Sequence, residues 1–61
     1  MASIADKQHI AEMIANLEKG MQNGDSDYET FANAITAIIA EYQLTLWDLE
    51  EIDTIVQDIL G

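Results

Sequence analysis

Leu44-Thr45-Leu46-Trp47-Asp48-Leu49 is a helix boundary written in six residues. Thr45 can cap a helix with its hydroxyl, and Asp48, three positions on, can accept from the Thr45 backbone in return. Leu44 and Leu49 occupy the N′ and N4 positions of a hydrophobic staple. One helix has therefore stopped before Leu44 and another starts near Leu46. The residues downstream agree: Leu49, Ile52, Val56, Ile59 and Leu60 recur at helical spacing, with Ile55 on the flank. Loss of the Thr45 cap is expected to cost about 1 kcal/mol.

Working upstream, the same two signals recur. Tyr28, Phe31, Ile35, Ile38, Ile39 and Tyr42 form a second apolar stripe, opened by Ser26 with Glu29 as a capping box. Ile10, Met13, Ile14, Leu17 and Met21 form a third, opened by Ser3 with Asp6, and Gly20 and Gly24 bracket its end. There is no proline to interrupt them. The predicted helices cover 4–22, 27–42 and 46–60. Connections of three or four residues make consecutive helices antiparallel neighbours. The expectation is an all-α fold, a small up-down-up three-helix bundle forming a single domain over 1–61.

A chain of 61 residues buries only ~60% of the surface it exposes unfolded, so its stability needs reinforcement. The absence of cysteine excludes disulfides and a thiolate zinc site, and His9 alone cannot build a metal cage. Self-association remains, and a homodimer is expected. Hydrophobic residues make up 49% of the chain, too many for a disordered acidic tail. No basic stretch precedes an apolar one at the N-terminus, and the apolar run Ala37–Ala40 is far too short to span a bilayer. Neither signal peptide nor membrane span is expected, and a cytoplasmic location follows.

Charge is the informative excess. The formal net charge is −10, and from Gly20 to Gly61 there is no lysine, arginine or histidine. Asp25, Asp27, Glu29, Glu41, Asp48, Glu50, Glu51, Asp53 and Asp58 all fall in that stretch. Such a polyanion avoids nucleic acid and anionic lipid. Carboxylates at helix starts favour the helix dipole, which accounts for Asp27, Glu29 and Asp48 locally. It does not account for Glu41, Glu51 or Asp58.

On the third helix, Glu51, Thr54, Asp58 and Trp47 cluster opposite the apolar stripe, with Asp48 and Glu50 on the two sides. Asp53 falls beside the apolar edge. Trp47, the sole tryptophan, either anchors a partner or leans back over the loop to close the bundle end beside Tyr42. An aromatic ringed by carboxylates suits a basic, partly apolar protein surface. The partner-binding candidates are Trp47, Asp48, Glu50, Glu51, Thr54 and Asp58, with Glu41 at the edge. The second helix carries no charge from Thr30 to Ala40. Its outer side, Thr30, Asn33, Ala34, Ala37 and Ala40, is the candidate dimer face, where another helix can approach closely.

Catalysis is not supported. With one histidine, no cysteine and both serines at helix starts, no nucleophile–base pair assembles. Counted as an EF-hand loop from Asn23, the sixth position is Tyr28 where glycine is needed and the twelfth is Ala34 where glutamate is needed. Neither metal nor cofactor is expected. The composition is similar to that of the small acidic proteins with which phages mimic DNA and block nucleases, restriction systems or transcription proteins. Gly24-Asp25-Ser26 before a helix resembles the phosphopantetheine attachment site of acyl carrier proteins, which would make Ser26 the modified residue. Asp27 follows Ser26 where that family has a hydrophobic residue, and the family's long preceding loop is missing. The leading expectation is a non-enzymatic module that blocks or regulates a basic, nucleic-acid-binding protein. The alternatives are a dimeric adaptor working through the second helix and a carrier protein modified on Ser26.

Overall fold

Each helix begins where a side chain takes up an orphan backbone N–H. The computed structural model describes residues 2–61. Helix α1 (Ile4–Gln22) starts at Ser3, whose Oγ accepts from the Asp6 N–H at 3.0 Å while Asp6 Oδ2 accepts from the Ser3 N–H at 3.2 Å. Helix α3 (Leu46–Leu60) repeats this reciprocal box with Thr45 and Asp48, at 3.2 and 3.0 Å. Helix α2 (Tyr28–Tyr42) departs from the expected Ser26–Glu29 box. Its cap is Asp27, whose Oδ1 accepts from the Thr30 N–H at 2.8 Å. A carboxylate is the stronger acceptor and also complements the helix dipole, so the helix begins one residue later.

The helix ends are set by left-handed residues. Gly24 (φ 82°) reverses the chain after α1, and the Asp25 and Gly24 N–H groups donate to the Gly20 and Met21 carbonyls. This is the Schellman arrangement, where glycine adopts the conformation without a Cβ penalty. After α2 the same role falls to Gln43 (φ 53°, ψ 51°), with the Leu44 N–H donating to the Ile39 carbonyl at 3.1 Å. Leu44 then packs on the core. That contact accompanies such caps and directs the chain into α3.

The helices form a small all-α three-helix bundle with α1 in the middle. Lys7 of α1 reaches Asp48 and Glu51 of α3, so the two helices start at the same end and run parallel, as the up-down-up order requires. Their contact is the core: Ile10, Ala11 and Ala15 from α1 against Ile52 and Val56 from α3. The two alanines allow close approach. Ile10, Ile52 and Val56 are fully buried, each worth about 1.5–3 kcal/mol.

Helix α2 differs from its expected role. It packs on α1 but not along α3, and none of its residues is buried. Only Ile38 and Tyr42, in its C-terminal half, join the core. Phe31, Ile35 and Ile39 stay half-buried, and Tyr28 is 73% exposed. The result is a thin molecule, 32 × 25 × 16 Å, open on the side between α2 and α3.

Candidate protein-binding surface

Viewed at about 100° per residue, α3 turns Asp48, Ile52 and Val56 toward α1 and leaves the opposite side to solvent. Leu46, Trp47, Glu50, Asp53, Thr54, Gln57 and Asp58 are all exposed. Trp47 is 75% exposed, so it does not fold back to close the bundle end. The Thr54 hydroxyl donates to the Glu50 carbonyl at 3.1 Å, which leaves its methyl as its contribution to the surface.

Three members of this face escaped the sequence reading, Leu46, Asp53 and Gln57. The packed arc of α3 is rotated toward Asp48 and Ile55 relative to the apolar stripe. Ile55 accordingly packs on the core. That rotation carries Asp53 into the acidic face. A hydrophobic stripe is wide enough to accommodate it, so the spacing alone gave no signal.

Asp48 requires the opposite correction. Expected in the partner-binding set, it is 4% exposed and fully engaged. Its Oδ2 accepts from the Thr45 N–H at 3.0 Å, and its Oδ1 lies 3.4 Å from Lys7 Nζ. The Thr45 backbone N–H is the main influence holding its carboxyl below the ordinary aspartate range; the Thr45 hydroxyl and Lys7 add to it, and desolvation opposes them. Its role is structural. Lys7 Nζ also donates to Glu51 Oε2 at 2.9 Å. That bond, more than any other contact, raises the Lys7 pKa above its ordinary value, while desolvation lowers it. The Lys7 side of the bridge is thus charged throughout the neutral range, and on the alkaline side the bridge is lost as pH rises through that raised value.

Glu51 divides its carboxylate between Lys7 and solvent, its side chain being 58% exposed. Among the described residues, Glu50, Asp53 and Asp58 make no ion pair. Glu41 is exposed in the last turn of α2, and the short 43–45 connection brings that turn to the end where α3 begins. On α2, Thr30, Asn33, Ala37 and Ala40 are exposed as the sequence suggests, and Ala34 is half-buried at the edge. Ser26 lies in the turn before the Asp27 cap, half-buried and facing Gly20.

His9 is exposed. Among the described residues there is no cavity and no grouping of three acidic or histidine side chains placed to hold a metal ion. What the surface offers is an apolar anchor beside uncompensated carboxylates. No protein-family model, curated protein or solved structure matches this chain.

Proposed function

We propose that the chain is a non-enzymatic protein-binding module that engages a basic protein surface through the outer face of α3 and thereby blocks or regulates it. The observation that carries this reading is Trp47, a large aromatic left 75% exposed beside carboxylates that lack a cation. A partner that covers the indole gains apolar burial, and its lysines or arginines meet Glu50, Glu51 and Asp58, with Glu41 at the edge. Nucleic-acid-binding proteins are the favoured target class, because their surfaces are built to receive rows of negative charge. The test is capture from the native host lysate at low and high salt, then titration of the recovered protein against duplex DNA. The expected partner is basic, is released by salt and displaced by duplex, and binds Trp47→Ala more weakly. Retention at high salt through Trp47 alone, or simultaneous binding of duplex and this chain, refutes the reading.

A second reading, homodimerisation through α2, is favoured by one observation: no residue of this apolar helix is buried within its own chain. The neutral face of Thr30, Asn33, Ala37 and Ala40, with Ala34 at its edge, is where two acidic chains approach with least repulsion. Ala37→Glu is expected to turn a dimer into a monomer by light scattering and to leave the α3 surface intact. A mass unchanged by the substitution refutes it.

A further inference from the structure

Three of the most exposed large apolar side chains lie in the first turns of α1 and α3, which start at the same end of the molecule: Ile4 at 81%, Leu46 at 81% and Trp47 at 75%. The Lys7 bridge fixes where they stand. Ile4 precedes Lys7 by three residues and Trp47 precedes Glu51 by four, so each lies one turn N-terminal to its own helix's member of the ion pair. Ile4 and Trp47 therefore both stand one turn before the Lys7–Glu51 pair, at the end where α1 and α3 begin, and Leu46 shares the first turn with Trp47. Single exposed apolar residues need no explanation, but three at one end of so small a protein make a patch suited to a partner.

The adjoining charge decides what kind of partner. Glu50, Asp53 and Asp58 follow Trp47 down the exposed side of α3, about 4.5, 9 and 16.5 Å along the axis at the helical rise. A second helix laid alongside has the same rise, so basic residues spaced three to five apart beyond an apolar anchor meet these carboxylates in register. An anionic bilayer, by contrast, is repelled. Over the roughly 12 Å from Glu50 to Asp58, duplex DNA carries about seven charges. Glu50, Glu51, Asp53 and Asp58 are the only carboxylates on that stretch, so charge alone makes a sparse phosphate mimic and the apolar end must contribute.

We propose that Ile4, Leu46 and Trp47, continued by Glu50, Asp53 and Asp58, form a two-helix docking surface for a basic amphipathic helix. Its apolar residues seat on the end of α1 and α3, and its lysines or arginines lie along α3. Lys7 is the positioning residue that holds the two halves of the apolar end together. This rests on the reading that α3 binds a basic protein, and adds the contribution of α1 and the helical form of the partner.

Two tryptophan-free synthetic peptides of equal positive charge test it against the full chain at low salt: an amphipathic leucine–lysine helix and its serine–lysine counterpart. Trp47 is the only tryptophan, so its emission reports the site. The leucine–lysine peptide is expected to bind about tenfold more tightly, the effect of burying roughly one large apolar side chain, and to shift the emission to the blue. Ile4→Ser, at an exposed position that does not threaten folding, is expected to remove about that tenfold and leave the serine–lysine peptide unaffected. Glu50→Gln with Asp53→Asn and Asp58→Asn is expected to weaken both peptides. Equal binding of both peptides without a blue shift, or an Ile4→Ser variant unchanged toward the leucine peptide, overturns the composite surface but leaves basic-partner recognition standing. Binding of neither peptide overturns both.

Discussion

Ile52→Ala and Ile35→Ala remove the same three carbons from two helices, and the structure assigns them different costs. Ile52 is 1% exposed, wedged between α1 and α3 with Ile10, Ala11 and Ala15. Its truncation loses about 2.4 kcal/mol of transfer free energy and leaves a cavity, for a total of about 2–5 kcal/mol. Ile35 lies half-buried on a helix with no buried residue. About half the transfer free energy is at stake there and no enclosed cavity forms, so the cost is about 1 kcal/mol. A chain of 61 residues has about 3–9 kcal/mol of stability in all, so Ile52→Ala brings the fold close to its limit while Ile35→Ala leaves it intact. Urea unfolding followed by circular dichroism measures both. It is done at low protein concentration, so that a dimer through α2 does not add its own stabilisation. Hydrogen exchange supplies the second readout: amides of α2 open before those of α1 and α3. Equal losses in the two variants, or α2 amides as protected as those of α3, would refute the peripheral placement of α2.

The backbone provides predictions of opposite sign. Gly20→Ala is expected to stabilise by about 0.5–1 kcal/mol, because a glycine inside a helix is a liability and its new Cβ meets only Ser26 Oγ at 3.8 Å. Gly24→Ala is expected to destabilise by about 1 kcal/mol from the left-handed strain, since Gly24 sits at φ 82°; thermal melts of the two variants should move in opposite directions. Gln43→Gly relieves a left-handed non-glycine and should raise the urea midpoint by an amount equivalent to up to about 1 kcal/mol. Asp27 and Asp48 are held below their ordinary value of 3.8 mainly by the backbone N–H groups of Thr30 and Thr45. The unfolded chain therefore takes up protons first on acidification, and the stability these two groups confer is present above about pH 4 and lost as pH falls through their lower folded values. The gap in urea midpoint between the native chain and Asp27→Ala or Asp48→Ala should narrow in that acid range; a gap constant from pH 6 to 2 would contradict it.

The three helices and most of their boundaries were legible in the sequence because caps act over three residues. Ser3 with Asp6 and Thr45 with Asp48 form the expected boxes. The error at α2 is of the same local kind, two adjacent residues competing for one cap, with the carboxylate of Asp27 prevailing over the Ser26 hydroxyl. The acidic face was legible in part. Helical periodicity turned Trp47, Glu50, Thr54 and Asp58 outward together, but it fixes a stripe only to within a few tens of degrees, and Asp53 and Asp48 fell on the wrong sides of that margin.

By itself, then, the sequence determined the elements, their order and a surplus of negative charge without a cation from Gly20 onward. Only the tertiary structure decided how that charge is distributed. Lys7, 44 positions from Glu51, crosses from α1 to pair with Asp48 and Glu51, which leaves Glu50, Asp53 and Asp58 as the unpaired carboxylates on the side of α3 that carries Trp47. It also decided that α1 and α3 share the core while α2 stays uncovered. The physical reason is the same for both. Capping and periodicity are short-range interactions along one helix, whereas the choice of neighbours depends on how two separate helices are rotated when they meet.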